Sequence, residues 1–357
     1  MTKHISSTIS KNILFLGVSM KTKGGMTAVL VSYNKYIENM RFIPTWRLGN
    51  KFVKIWYAAQ ALIKTWWLCN FDRNIKIVHI HGAANASFYR CQMFIQLAKR
   101  YGKKVILHEH AADFVDFYNN AKDKNGIVKT LNECDILIVL SRSWAEFFAA
   151  IGVSRYKIRI LNNIVSPPVS ESTPHGDGKL HLMYMGEISN RKGAFDLLKA
   201  ISDNKDYFKD KLLLRIGGNE VDGNIKAYIK DNGLERFVSY EGWLSGQKKT
   251  DCLLWEDVYI LPSYNEGLPI AILEAMSYHH PIISTPVGGI PEVVTHGENG
   301  ILVSPGKSQE IADAIKYYIK NPQMIKKEGD ISYHKVKSFF PDAVFSELNK
   351  IYSVLLK

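Results

Sequence analysis

Two glutamates, Glu266 and Glu274, stand eight residues apart in the stretch NEGLPIAILEAM, residues 265–276, and across the start of a helix that spacing could bind a phosphorylated diol. Ile270, Ala271, Ile272, Leu273, Ala275 and Met276 suit a helix, and Pro269 suits its first turn, where a missing N–H costs nothing. Glu266 and Gly267 then fall in the preceding loop, and Glu274 about one turn inside. Unpaired N–H groups and the positive dipole end at such a helix start favour phosphate. The carboxylates would repel phosphate at close range, but each is a strong acceptor for paired hydroxyls. A diphosphate at the helix tip with hydroxyls on either side describes a sugar nucleotide. The plainer alternative is an amphipathic helix with two surface glutamates.

Residues of this kind need a frame, and in open α/β sheets ligands lie beyond the carboxyl ends of the strands. Short apolar runs alternate with helical patterns along the chain, which predicts parallel sheets with crossover helices. One series of strands is Asn12 to Val18, Ile75 to His81, Lys104 to His108, Asp135 to Leu140 and Lys157 to Leu161. A second is Leu180 to Met185, Leu212 to Ile216, Phe237 to Tyr240, Val258 to Leu261, Pro281 to Ser284 and Gly300 to Val303. Between them IVSPPVSESTPHGDGK, residues 164–179, has no periodicity and reads as a connection. The expected organisation is an α/β chain of two doubly wound, Rossmann-like domains at 1–168 and 180–335, joined by a linker at 169–179. A segment at 336–357, with a helix near Asp342 to Leu356, is expected to cross back to the first domain.

Several strand ends carry unusual residues. After the first strand SMKTKGGMTAVL places Gly24 and Gly25 ahead of a helix opening near Thr27, without GxGxxG or Walker spacing; a tight turn and a phosphate cradle both remain open. HIHGAAN and LHEHAADF bring His79, His81, His108 and His110, with Asp113, to two strand ends. Four histidines invite a metal reading, but a helix separates the two strands. The expectation is therefore polar core or cleft positions for His79 and His108, a hydrogen-bonding role in a cleft for His110, and no metal. GEISNRKG sets Arg191 and Lys192 before Gly193, suited to neutralising a diphosphate or simply to solvent. RIGGNE, with Gly217 and Gly218, and YEGW, residues 240–243, could border a nucleotide base. Gly288 and Gly289 form a second backbone-exposing loop, with Glu292 in the first turn of a short helix after it. No DxD pair occurs, which favours a diphosphate held by Arg, Lys and helix ends over one clamped by metal.

At 357 residues and 46% apolar content the chain is long enough for roughly two domains. No apolar run reaches the roughly 18 to 20 residues of a membrane span, and ILFLGV at 13–18 is too short for a signal-peptide core. A cytosolic protein is expected, peripheral at most on the inner face of the cell membrane. Cys69, Cys91, Cys134 and Cys252 show no CxxC pairing and suit a reducing compartment. The net charge of +12 is concentrated early: residues 1–104 hold 17 Lys and Arg against two acids, Glu38 and Asp72. Such a field attracts nucleic acid, anionic lipid or a phosphorylated substrate. Residues 50–76 interleave Lys51, Lys54, Lys64, Arg73 and Lys76 with Phe52, Trp56, Tyr57, Trp66 and Trp67, the composition of an interfacial helix at an anionic membrane or of a core helix with a basic face. No RNP, KH or helix-turn-helix signature accompanies the charge, so nucleic acid is not expected as a partner.

Taken together, GGM at 24–26, HEHAADF at 108–114, GEISNRKG at 186–193, NEGLPIAILEAM, TPVGGIPEVV and GENGILV resemble the retaining glycosyltransferase family 4 from about residue 12 to 320. The resemblance implies the GT-B architecture: two Rossmann-like domains facing across a cleft, donor bound mainly by the second and acceptor by the first. Its E-x7-E element is matched by Glu266 and Glu274. By resemblance Glu274 holds the ribose hydroxyls, Glu266 contacts the donor sugar, and Gly267 and Leu268 offer N–H groups to the diphosphate or sugar. Lys192 contacts the phosphates and His110 stands beside the transferred sugar. Catalytic roles are thus expected for His110, Glu266 and Lys192, with Gly24, Gly25, Arg191, Gly218, Gly267, Leu268 and Glu274 completing the donor site. One departure is Glu187, where many members carry arginine; either Arg191 supplies that charge or Glu187 turns away. The implied activity is a metal-independent hexosyltransferase of cell-surface polysaccharide synthesis, without cofactor. Its donor is UDP- or GDP-linked, and its acceptor a saccharide or a polyprenyl-diphosphate-linked saccharide. A sugar-nucleotide epimerase of the same fold, or a donor-binding scaffold without catalysis, would share many of these features.

Overall fold

Aliphatic strand segments and the helices between them build two parallel six-stranded sheets in the computed structural model, which describes residues 3–22, 24–170 and 175–357. The chain divides into two units, Met1–Ile164 with Pro341–Lys357, and Val165–Phe340. Strands of the first unit are β1 (Ile13–Val18), β2 (Arg41–Trp46), β3 (Ile77–Gly82), β4 (Lys104–Glu109), β5 (Ile136–Val139) and β6 (Ile158–Ile160), in spatial order β2-β1-β3-β4-β5-β6. Those of the second are β7 (Leu180–Met185), β8 (Leu212–Gly217), β9 (Val238–Gly242), β10 (Val258–Leu261), β11 (Ile282–Ser284) and β12 (Gly300–Leu302), in order β12-β11-β10-β7-β8-β9. In each sheet the order reverses beside the first strand, the place where doubly wound folds open a crevice for ligands.

Helices cover both faces of each sheet, so central strands are buried along their whole length and read as continuous apolar runs. β3 and β7 are buried at every residue. Phe15, Leu16, Val78, Val105 and Leu137 anchor the first core; Leu182, Tyr184, Ile216, Ile260, Ile272 and Ile283 anchor the second. β2 is the one strand the sequence did not announce. It contains Pro44 and lies at the sheet edge, where proline's missing N–H leaves no ladder partner unpaired. The helix Gln323–Val336 is likewise an element that the sequence pattern does not announce.

Chain connectivity differs in detail from the expected boundaries. The second unit begins at Val165 and ends at Phe340, rather than spanning 180–335, and Val165 N–H donates to Phe339 O at 3.1 Å. Within the expected linker, residues 171–174 lie outside the described residues. Residues 175–179 pack on the second unit: His175 Nε2 lies 2.7 Å from Trp255 O, and Asp177 Oδ2 3.0 Å from His181 Nε2. The helix Pro341–Leu356 returns to the first unit, burying Phe345, Leu348 and Tyr352 there. All four cysteines are buried and free. Among the described residues no helix is long and apolar enough to cross a membrane.

Candidate functional site

In the second unit the loop between β10 and the helix Ile270–Ser277 is held by its own hydrogen bonds. Ser263 Oγ donates to Arg191 O and Asn265 O at 3.1 and 3.2 Å, Tyr264 N–H donates to Arg191 O at 2.9 Å, and Thr285 Oγ1 donates to Ser263 O at 2.5 Å. Gly289 N–H reaches Gly267 O at 2.6 Å. These bonds knit the ends of β7, β10 and β11 together at their carboxyl edge. Pro269 stands at the N-cap, one position ahead of its expected place in the first turn. Gly288 (φ +56°) is required here because a Cβ would lie 1.9 Å from Glu266 O. At Gly218 (φ +154°) a Cβ would lie 1.6 Å from Gly186 O, so this glycine serves the close approach of the β7 and β8 ends.

Around this loop Glu187, Arg191, Lys192, Glu266 and Glu274 each have a partner of opposite sign. Glu266, 5% exposed, accepts from Lys192 Nζ at 2.5 Å. Glu274 accepts from Lys249 Nζ, also at 2.5 Å. Arg191 reaches Glu187 at 2.7 Å with one guanidinium nitrogen and Asn265 O at 3.1 Å with the other. Glu187 and Arg191 thus pair with each other. Lys249 was not foreseen. It is one of two adjacent lysines in GQKKT, on the helix Gly246–Trp255, and nothing in its spacing distinguishes it from an ordinary solvated lysine. The buried Tyr259 hydroxyl nearby donates to Met185 O at 2.7 Å. Burial first, then the fields of Glu256, Tyr184, Glu266 and Glu274, hold its phenol well above the ordinary range. Such a site can exchange partners: an anion can take an ammonium from its carboxylate, and a diol can take the carboxylate from its ammonium.

In the first unit the separation of the two histidine pairs by a helix does not keep them apart. The crossover makes β3 and β4 hydrogen-bonded neighbours, with His81 opposite His108 in register. Four imidazoles consequently form one group: His79 stacks on His81 at 4.6 Å, His108 on His110 at 4.2 Å, and His81 Nδ1 lies 3.0 Å from His110 Nε2. Burial pushes His79 and His110 down to about 3, and His81 and His108 well below the usual range, so all four are neutral. His110 is only half-buried and stands at the β4 tip, its N–H shared between Gly82 O at 3.0 Å and Glu109 Oε1 at 3.1 Å. Burial lifts the Glu109 carboxyl to about 8 against the hydrogen bonds it receives from Ala111 and His110. Gly24 (φ +140°) and Gly25 open the helix Gly25–Tyr36, with no neighbour among the described residues within 4 Å of where a Cβ would stand at either. Of the residues singled out, Gly24, Gly25 and His110 thus belong to the first unit. Arg191, Lys192, Gly218, Glu266, Gly267, Leu268 and Glu274 belong to the second.

The family model described as glycosyl transferases group 1 matches residues 167–335. An uncharacterized glycosyltransferase of Methanocaldococcus jannaschii is 26% identical over 263 residues, covering 69% of this chain and 67% of the relative. The amylovoran biosynthesis glycosyltransferase of Erwinia amylovora is 24% identical over 253 residues, covering 68% and 60%. Among solved structures, the Anabaena protein HepE in complex with UDP and glucose superposes with a TM-score of 0.75 at 16% identity, covering 96% of this chain and 99% of that one. The fold is GT-B.

Proposed function

Because residues 167–335 match the family model described as glycosyl transferases group 1, we propose that this chain is a retaining glycosyltransferase. It moves a hexose from a nucleotide-diphosphate sugar, UDP-linked in the first instance, to a saccharide or polyprenyl-diphosphate-linked acceptor of cell-surface polysaccharide synthesis. The observation that carries this reading is the pair of carboxylate–ammonium contacts, Lys192 with Glu266 and Lys249 with Glu274, set at the carboxyl edge of the second sheet around one helix start. Lys192 leaves Glu266 for a phosphate oxygen, and Glu274 leaves Lys249 for the ribose diol. Glu266, freed, accepts from hydroxyls of the sugar. Gly267 and Leu268 contribute backbone N–H groups, and Gly218 the edge against which the nucleotide lies. HepE's complex with UDP and glucose, and the amylovoran relative, support the donor class and the product class.

As the anomeric C–O bond breaks, positive charge develops on the sugar and negative charge on the departing diphosphate. Lys192, Arg191 and the helix start stabilise the latter without a metal ion, each well-placed donor contributing roughly 3 to 4 kcal/mol. The acceptor hydroxyl attacks from the leaving-group face and its proton passes to the leaving phosphate, which gives retention. His110, neutral because burial holds its imidazole at about 3, serves the transferred sugar as a hydrogen-bonding group and not as a cation. A panel of sugar nucleotides tested for binding identifies the donor. Nucleotide release measured with and without acceptor then separates transferase from epimerase, since a transferase passes the sugar to the acceptor and frees the nucleoside diphosphate, whereas an epimerase turns over its sugar nucleotide independently of acceptor.

The acceptor reading rests on the helix Lys51–Phe71. Of its 21 residues only Ala61, Thr65 and Cys69 are buried, which sets it apart from a core helix. Phe52, Ile55, Trp56, Ile63, Trp67 and Phe71 are exposed among Lys51, Lys54 and Lys64. Beside it Leu62, Trp66, Met93, Leu97 and Arg100 line a hollow of about 510 Å³. Exposed aromatic and aliphatic groups interleaved with cations match the headgroup and acyl boundary of an anionic bilayer, where a lipid-linked acceptor would reside.

A further inference from the structure

Burying an imidazole nitrogen without a partner is costly, and the first unit contains several side by side. His79, His81 and His108 are 0–2% exposed. His79 Nε2, His81 Nε2 and both nitrogens of His108 find no hydrogen-bond partner among the described residues. The other nitrogens of two of these rings are engaged: His79 Nδ1 with Tyr352 Oη at 2.7 Å and His81 Nδ1 with His110 Nε2 at 3.0 Å. In the tautomer where each Nδ1–H donates to that partner, both Nε2 atoms keep a free lone pair. That is the arrangement in which protein imidazoles ligate metals, one nitrogen on the ion and the other held by a hydrogen bond.

We propose that His79, His81 and His108 form a structural site for a late first-row divalent metal ion, zinc in the first instance. One nitrogen from each ring lies within 4.8 Å of the others. A triangle with sides of 4.8 Å has its centre about 2.8 Å from each corner, so ligation at about 2.0 to 2.1 Å asks each ring to move in by about 0.7 Å. An all-imidazole set suits zinc, copper or nickel and excludes magnesium and calcium, which take oxygen ligands. Buried as deeply as it is, the ion does not meet substrate. It fastens β3 to β4, and through Tyr352 the helix Pro341–Leu356. By committing His81 Nδ1–H to His110 Nε2 it also fixes the tautomer and orientation of His110, for which it acts as a positioning group.

The test uses the full chain, stripped with chelator and then titrated with zinc alone and with cobalt alone. Expected are one tightly bound ion per chain by elemental analysis, a raised unfolding temperature with zinc, and cobalt visible absorption of a low-coordinate imidazole site. His81→Gln and His108→Gln each lower the stoichiometry to below about 0.1 per chain, while His175→Gln, outside the cluster, leaves it at one. Because a glutamine in this core can unfold the unit, circular dichroism is recorded beside each titration. A folded variant that still binds one ion overturns the proposal, since the ligands then lie elsewhere. A wild-type chain that takes up no ion and whose unfolding temperature ignores both zinc and chelator overturns it equally.

Discussion

Removing the carboxylate of Glu266 should do more to the ligand-free protein than to a protein with its nucleotide bound. Glu266 is 5% exposed and the Lys192 side chain 15%, with 2.5 Å between Nζ and Oε1. Glu266→Ala leaves that ammonium largely out of water without a counter-charge. Breaking a buried pair from one side costs about 3 to 5 kcal/mol, and the residual exposure of Lys192 places this case near the lower figure, about 3 kcal/mol. For a unit of this size each kcal/mol moves the unfolding temperature by roughly 2 to 4 °C, so a fall of roughly 6 to 12 °C is expected. Adding Lys192→Met to Glu266→Ala should recover more than half of it, since the cost lies in the stranded cation and not in the lost contact. Saturating UDP should raise the unfolding temperature of Glu266→Ala more than that of the wild type, because the diphosphate supplies the missing anion. The assay is differential scanning calorimetry of the three chains with and without UDP. An unfolding temperature for Glu266→Ala within about 1 °C of wild type would contradict this expectation, because it would mean that water, not Glu266, already solvates Lys192.

Three further outcomes follow from the same geometry. Glu274→Ala should weaken UDP binding at least tenfold by calorimetry, the loss of about 1.4 kcal/mol expected for a charged acceptor on a diol, whereas Glu266→Ala lowers turnover more than affinity; equal, unchanged constants in both would remove the assignment. Chelator-treated protein should lose stability as pH falls below about 6.5, because the unfolded chain protonates histidines that burial keeps neutral in the fold down to about 3 for His79. At pH 5 each histidine so held costs about 2 kcal/mol, and a flat chemical-denaturation midpoint between pH 7 and 5 would show that water reaches these rings. Lys51→Glu with Lys54→Glu should abolish salt-sensitive co-sedimentation with anionic vesicles while leaving UDP affinity unchanged; equal sedimentation of variant and wild type would rule the membrane out for this helix.

Much of the architecture was legible because parallel strands buried on both faces write themselves as apolar runs, as β1, β5, β10 and β11 do most plainly. β2 escaped notice because Pro44 interrupts its pattern, and only its place at the edge excuses the proline. Glu266 and Lys192 could be found because they sit in loops beside glycines, and Glu274 because its spacing from Glu266 sets the two across a helix start, whereas Lys249 could not, because helix-surface lysines are common and its partner is 25 residues away. The histidines show the sharpest limit. Alternation tells which face a side chain takes, but which strand lies next to which is a property of the crossover, and the connection that separates His81 from His108 along the chain is what sets them side by side.

The return of the helix Pro341–Leu356 to the first unit has a consequence for synthesis. Residues 165–340 form an uninterrupted stretch and can fold as soon as they emerge, but the first unit, though translated first, lacks Phe345, Leu348 and Tyr352 until the ribosome has passed them. The usual order of N-terminal domain first is therefore reversed. For as long as translation of the intervening residues takes, on the order of tens of seconds, the nascent sheet that holds the histidines presents an uncovered apolar face. It is in this interval, rather than in the finished molecule, that the chain is most exposed to aggregation and to chaperone capture.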